Sequence, residues 1–258
     1  MRLLVTNDDG VDSVFLGELV RALLRADHEV YVAAPKVEQS WIGAAKSRHR
    51  PVHSERADRG LGCPTWIVDG TPSDSVNIAI DHLLPCAPEA VLSGINVGLN
   101  ASLGFILGSG TVAGACEGAL HGIPSIALSQ SLPIPVYDEF KAKGGEPGGA
   151  LLDIVRISAR HAAGIAPALA QGTPARSFIV HNLNFPYPCA TDAKMKRTVP
   201  AHVMIPGLFS ARKQDGTHQL VFRLGEDVSP EDPLTDRAAL DAGHISHTVL
   251  DFTKLGSI

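Results

Sequence analysis

Two adjacent carboxylates, Asp8 and Asp9, stand in the run Asn7-Asp8-Asp9-Gly10, directly after the apolar stretch Arg2-Leu3-Leu4-Val5-Thr6. That stretch reads as a buried first strand, so the pair sits on a loop leaving a strand's carboxyl end. Open α/β sheets place their ligands there. Two carboxylates on a tight loop repel each other, and a hard divalent cation offsets the repulsion. The plainer alternative is that Asp8 or Asp9 caps the helix that follows. Ser40, Asn96 and Ser109-Gly110-Thr111 lie in comparable connections. A hydroxyl and an amide carbonyl are further hard oxygen ligands, suited to Mg²⁺, Mn²⁺ or Ca²⁺. A glycine-containing loop at a helix start offers free N–H groups to an anion. Cation and anion cradle together are what phosphate ester hydrolysis needs. Taken singly, each piece also has a bland reading. Ser40 is a loop serine, Asn96 holds a left-handed turn between Gly94 and Gly98, and Ser109-Gly110-Thr111 is a helix cap.

For these residues to meet, strands and helices must alternate. Leu16, Leu19, Val20, Leu23 and Leu24 make one apolar face of a first helix. Glu29 to Ala34 is a second strand, and Trp66-Ile67-Val68 another. Thr71 caps a helix that has Pro72 at its first position and Val76, Ala79, Ile80, Leu83 and Leu84 on its dry face. Ala90-Val91-Leu92 is a strand running into a loop, Ser93 to Asn100. The loop Gly108 to Thr111 opens a helix with Val112, Ala115, Cys116, Ala119 and Leu120 inward, and Ser125 to Leu128 is the next strand. Residues 141–149 read as a flexible connection. The long helix after it has Asp153, Arg156 and Arg160 wet, and Leu151, Ile154, Val155 and Ala162 dry. Ser177 to Val180 is a strand that leads into His181 to Pro186. Beyond it the pattern turns β-like, with a hairpin turn at Asp215-Gly216, a short helix over Thr235 to Leu240 and a last strand from His244 to Leu250. The order predicts an α/β, Rossmann-like fold with a mostly parallel sheet flanked by helices. It reads as a single domain over 1–258, its core about 1–185, with a β-rich extension and C-terminal arm over about 186–258.

The chain has 258 residues, 45% hydrophobic and 19% charged, enough for a substantial core. Its net charge of −5 argues against a nucleic-acid polymer as main partner. An acidic protein with an acidic first loop also needs a cation if it is to hold phosphate there. Cys63, Cys86, Cys116 and Cys189 show no C-x-x-C pairing and fit thiols of a reduced compartment. No run reaches membrane-spanning length, and Asn7-Asp8-Asp9 interrupts the first apolar run too early for a signal peptide. The expectation is a cytoplasmic protein without membrane contact. His49 and His53 have H-x-x-x-H spacing, but Pro51 between them breaks a shared helix face. His121 is placed near a helix end, and His53, His202 and His218 at the surface or a sheet edge.

With these residues in view, the chain resembles the SurE family of survival proteins, stationary-phase 5′/3′-nucleotidases and acid phosphatases. The likeness rests on MRLLVTNDDG (1–10), GTPSDSV (70–76), SGINVGLN (93–100) and SGTVAGACEG (109–118). It continues through GIPSIALS (122–129) and NLNFP (182–186), then Thr235-Asp236 and Gly243 to Ser246. The resemblance implies a metal-dependent phosphatase acting on nucleoside monophosphates, with one Mg²⁺ or Mn²⁺ per subunit (Ca²⁺ in crystals). It implies Asp8, Asp9, Ser40 and Asn96 as metal ligands, Asp8 and Asp9 as the catalytic carboxylates, and Asn7 in support. Asn96, Ser109, Gly110 and Thr111 would bind phosphate. A swapped C-terminal arm making homodimers or homotetramers is implied as well. The chain departs from the family at Trp41 after Ser40, at Ala44-Ala45, at Phe15-Leu16 and at Gly108. These departures keep two alternatives open, a phosphatase for a non-nucleotide ester and a nucleotide-binding regulator without turnover. A nicotinamide oxidoreductase is disfavoured, since Asp8-Asp9 stands where a G-x-G-x-x-G would be and repels a pyrophosphate.

Overall fold

The computed structural model describes residues 1–256. Its strands, in chain order, are β1 (Arg2–Thr6), β2 (Glu29–Pro35), β3 (Ser54–Arg56), β4 (Thr65–Val68), β5 (Ala90–Val97), β6 (Ser125–Gln130), β7 (Ile179–Phe185), β8 (Met195–Thr198), β9 (Val203–Met204), β10 (Glu226–Asp227) and β11 (Ile245–Asp251). The helices are α1 (Val14–Arg25), α2 (Pro72–Ile78), α3 (Leu103–Gly108), α4 (Gly110–Leu120), α5 (Ile134–Ala142), α6 (Gly149–Gln171) and α7 (Asp236–Asp241). A nine-stranded sheet runs β3-β4-β2-β1-β5-β6-β7-β11-β8. From β4 to β7 every neighbouring pair is parallel. The chain moves from β1 to β2 on one side and later to β5 on the other. The strand order therefore reverses between β1 and β5, whose ends lie in register with Thr6 beside Ser93. Open α/β sheets bind their ligands at such a switch point, outside the strands' carboxyl ends.

Alternation along β1 explains the layers. Leu3 and Val5 join α1, Leu92, Leu128 and Val155 in one core, while Leu4 points to a second core with Ala33, Val76 and Val91. A strand buried on both faces reads as a continuous apolar run, as β1 does. The α1 stripe Leu16, Leu19, Val20 and Leu23 is fully buried, worth roughly 1.5–3 kcal/mol per side chain. α1 packs with α6 on one face of the sheet, and α2 with α4 on the other. α2 starts in a capping box, Thr71 Oγ1 accepting from Asp74 N while the Asp74 carboxylate accepts from Thr71 N.

Several expectations need correction. β5 runs on through Val97, so Asn96 lies on a strand's last turn of pleat, past a register shift against β6 that begins after Ser93. Likewise β7 takes in His181 to Asn184. Asn and Ser read as loop residues, yet here they serve each other. Asn100 N donates to Asn184 Oδ1, Asn100 Nδ2 to Ser129 Oγ, and Asn182 Nδ2 to Asn100 O, all at 2.8 Å. Residues 103–108 form α3, too short to show a period, so the loop expected over 108–111 shrinks to a joint at Ser109. α5 occupies 134–142, its prolines accommodated at the first turn, and only 143–148 remains a connection. Leu120 is exposed at the end of α4. The turn at Asp215-Gly216 forms, with Lys213 N donating to Thr217 O. Among the described residues, no helix is long and apolar enough to cross a membrane. The last two positions of the expected arm, 257 and 258, lie outside the described residues.

Candidate active site

The loop after β1 is built to hold two carboxylates at the switch point. Asn7 is fully buried, and its Nδ2 donates to Gly10 O at 2.9 Å, folding the loop back on itself. Gly10 has φ +96°, a conformation that side chains disfavour. The loop is tied to the connection after β2, with Val11 N donating to Pro35 O (2.9 Å) and Gln39 N to Asp8 O (2.7 Å). Asp8 is buried and its Oδ1 accepts from Thr111 Oγ1 at 2.6 Å. Asp9 Oδ2 accepts from Val97 N, at the end of β5, at 2.8 Å. The backbone N–H groups of Thr111 and of Asp8 itself also face the Asp8 carboxylate, whereas among the described residues Asp9 Oδ1 takes no hydrogen bond.

The approach of α4 depends on one missing side chain. A Cβ on Gly110 would lie 2.8 Å from Asp8 Cβ, 2.9 Å from its Oδ2 and 3.2 Å from Gln39 O. Only glycine lets the carboxylate lie against the start of the helix. Ser109 caps α4, its Oγ accepting from Val112 N at 3.0 Å. The bland reading of Ser109 therefore describes its hydroxyl correctly. The first-turn amides of Gly110 and Thr111 have no partner within the helix, as at any helix start. The Thr111 amide lies toward the Asp8 carboxylate, and a helix N-terminus favours an anion.

Electrostatically the carboxylate pair is unresolved. Burial pushes the Asp8 carboxyl up to about 6. Burial, and then the charge of Asp8, hold Asp9 well above the usual carboxylate range. Lys141, a cation that acts on Asp9, is already engaged by Glu38 at 2.8 Å. Two adjacent like charges whose carboxyls are both pushed up are what a divalent cation stabilises. The donor set fits a hard ion: carboxylate oxygens, and the Asn96 amide. Asn96 is buried at the end of β5, its Nδ2 donating to Gly98 O at 2.8 Å, and among the described residues its carbonyl oxygen takes no hydrogen bond. The orphaned buried Oδ1 of Asn7 adds another acceptor to this polar edge.

Ser40 is the expected ligand that the structure does not bring in by its side chain. It is exposed and its Oγ donates to Glu38 Oε1 at 2.7 Å, although the backbone of Gln39 beside it touches Asp8. Sequence reasoning missed Glu38 and Lys141, which face each other across 103 positions of chain with no motif to link them. It also missed how Asp236 ties the C-terminal part to this edge. The Asp236 carboxylate accepts from Ser102 N at 2.8 Å and Ala201 N at 2.9 Å, holding the entry to α3. Among the described residues, no three His, Cys, Asp or Glu side chains form a metal cluster of their own.

Comparison with known proteins bears on this site. Residues 3–204 match the family model described as survival protein SurE. The 5′-nucleotidase SurE of Solidesulfovibrio magneticus is 36% identical over 262 aligned positions, covering 98% of this chain and 92% of that protein. The protein of the same name from Nitratidesulfovibrio vulgaris is 34% identical, covering 98% and 94%. The crystal structure of the SurE protein from Aquifex aeolicus superposes with a TM-score of 0.73 at 25% identity, covering 100% of this chain and 98% of the other.

Proposed function

This chain belongs to the survival protein SurE family, and from that premise we propose that it is a hydrolase, a metal-dependent phosphomonoesterase that releases phosphate from nucleoside monophosphates. The observation that carries the reading is the adjacent carboxylates of buried Asp8 and half-buried Asp9, with Asp8 set against the start of α4 and Asp9 keeping an oxygen free of hydrogen bonds among the described residues. Asp8, Asp9 and Asn96 would hold the cation, Mg²⁺ or Mn²⁺, one per subunit, with Ser40 joining if its hydroxyl leaves Glu38. A divalent cation bound there offsets phosphate charge and acidifies water at the site.

The chain's own residues do the rest. The amides of Gly110 and Thr111 orient the phosphate and stabilise its equatorial oxygens. Thr111 Oγ1 fixes the Asp8 carboxylate, and Val97 N fixes that of Asp9, so neither needs to reorganise. Asn7 keeps the loop closed. Hydrolysis forms a bond from water oxygen to phosphorus, breaks the ester P–O bond, and passes a proton to the leaving sugar oxygen. Attack by water, or first by one of the carboxylates, gives the same products.

We place the protein in the cytoplasm, where its four free cysteines stay reduced. We read it as one domain with its core over about 1–185 and its extension and arm beyond, and as a homodimer or homotetramer. Exposed Met204, Phe209, Val221, Phe222, Leu224 and Val228 give the extension an apolar surface suited to assembly. The test is hydrolysis of AMP by chelator-stripped protein with Mg²⁺ or Mn²⁺ added back. Turnover restored by the ion is expected; failure to cleave with either ion overturns the reading.

A further inference from the structure

Beside the phosphate edge stands an aromatic row that the reaction at phosphorus does not use. Trp41 follows Ser40 directly, and its indole lies over Gly108, the residue before Ser109. A Cβ at Gly108 would sit 3.4 Å from the indole Cε3. The ring packs on Phe105 of α3 (centroids 5.4 Å apart), and Phe105 packs on Phe222 at 5.9 Å. The Arg237 guanidinium backs Phe105 from 5.2 Å. Trp41 is 40% exposed and Phe222 47%. Trp41 also has φ +61°, a left-handed backbone that bulky residues seldom adopt.

The loop that carries it is firmly clamped. Gly43 N donates to Gly108 O at 3.0 Å, Thr71 Oγ1 to Ala45 O at 2.8 Å, and Ser47 N to the Asp74 carboxylate at 3.2 Å. Lys46 pairs with the buried carboxylate of Glu117. A strained backbone and a half-exposed indole, both held in place by so many contacts, mark a surface kept for a ligand. Its position says which ligand. Trp41 is one residue from Ser40 in one chain segment and lies on the residue before Ser109 in the other. A phosphate on the α4 amides would therefore sit beside Ser109, one residue from the Gly108 over which the indole lies.

We propose that Trp41, supported by Phe105 and Phe222, is a stacking platform for the substrate's base and directs the enzyme to purine nucleotides. The proposal rests on the nucleotidase reading. A flat, wide π-face favours the larger purine over a pyrimidine, and stacking recognises any base without reading its hydrogen-bonding edge.

The experiment uses the full chain with Mn²⁺ and compares AMP, CMP and ribose 5-phosphate, which lacks a base. In Trp41→Ala the ratio of kcat/KM for AMP to that for ribose 5-phosphate should fall, roughly 5- to 100-fold by the usual worth of a base–aromatic stack. Trp41→Phe should recover most of it, and the parent should prefer AMP to CMP. An unchanged ratio in Trp41→Ala overturns the proposal. Binding is read separately by fluorescence. The chain has two tryptophans, and Trp66 stacks on Tyr31, away from this edge. In Trp66→Phe, adenosine alone should quench the emission of Trp41, and absence of quenching overturns the platform. Loss of all ester cleavage by the parent overturns the nucleotidase reading instead, while adenosine quenching still decides the platform.

Discussion

Two places where titratable groups are drawn close together resolve the problem in opposite ways. At the carboxyl end of β1, Asp8 and Asp9 are like charges side by side, and each raises the cost of ionising the pair. Across the sheet, between β7 and β11, His181 Nδ1 meets His247 Nε2 at 2.8 Å, and His181 Nε2 meets Thr173 Oγ1 at 2.7 Å. Thr173 spends its hydroxyl proton on Leu169 O. His181 must then donate from Nε2 and accept at Nδ1, and His247 donates from Nε2. One neutral tautomer pattern satisfies the whole row, so the histidines need nothing further. Among the described residues, the carboxylates have no such solution. Unsatisfied burial at the switch point is the mark of a site; satisfied burial elsewhere is packing.

The sharpest way to break the contrast is Asp8→Asn. With the several kcal/mol of charge stabilisation from a bound cation lost, AMP turnover should fall about a thousandfold or more. Stability should move the other way. The Asp8 carboxyl rises from 3.8 unfolded to about 6 folded, so the folded state binds more protons between those values. Stability is full below the unfolded value and is lost as pH rises through about 6, by roughly 3 kcal/mol in metal-free protein. Metal-stripped Asp8→Asn should therefore melt above the metal-stripped parent at pH 7.5. Added Mn²⁺ should raise the parent and leave the variant unmoved. A variant that melts lower than the stripped parent would mean that the carboxylates are not strained.

Gly110→Ala tests the same strain by geometry rather than charge. The new methyl meets Asp8 Cβ at 2.8 Å, so helix or carboxylate must shift. A displacement of that order at a reacting centre costs about a hundredfold in rate, and overpacking about 1–3 kcal/mol in stability. Steady-state kinetics and thermal melting of this variant read both. Unchanged turnover would show that α4 does not need to lie against Asp8.

How much of this the sequence discloses depends on how each part is stabilised. β1, α1, β2 and the Thr71 cap are legible because apolar periodicity and capping chemistry are local. The pair Asp8-Asp9 is legible because it follows such a strand. The polar ends of β5 and β7 are not. Asn100, Asn182 and Asn184 look like loop residues until the fold pairs them. Glu38 with Lys141, and Asp236 with the entry to α3, are long-range partners that no spacing announces. The Ser40 hydroxyl illustrates the converse, since a motif position says nothing of where the side chain bonds, and here it goes to Glu38.

The smallest effect, and the one that puts both regions on a single axis, is pH. Burial, then the electrostatic cost of a charge beside His181 and Arg197, pushes His247 down to about 4. The unfolded chain takes that proton near 6.5 and the folded chain refuses it, so stability falls as pH drops from about 6.5 toward 4. This slope opposes that of Asp8, which loses stability as pH rises through much of the same window. In the metal-stripped parent the two partly cancel, and Asp8→Asn should expose the acid-side loss by the histidines. Adding His247→Gln, whose amide can replace the Nε2 donor to His181 but does not titrate, should flatten it again. The change is on the order of 1 kcal/mol, about 2–4 °C in Tm between pH 7.5 and 5. If melting curves of Asp8→Asn with and without His247→Gln keep the same pH slope, the histidine row is not the satisfied neutral cluster that its hydrogen bonds describe, and the contrast with the carboxylates fails from that side.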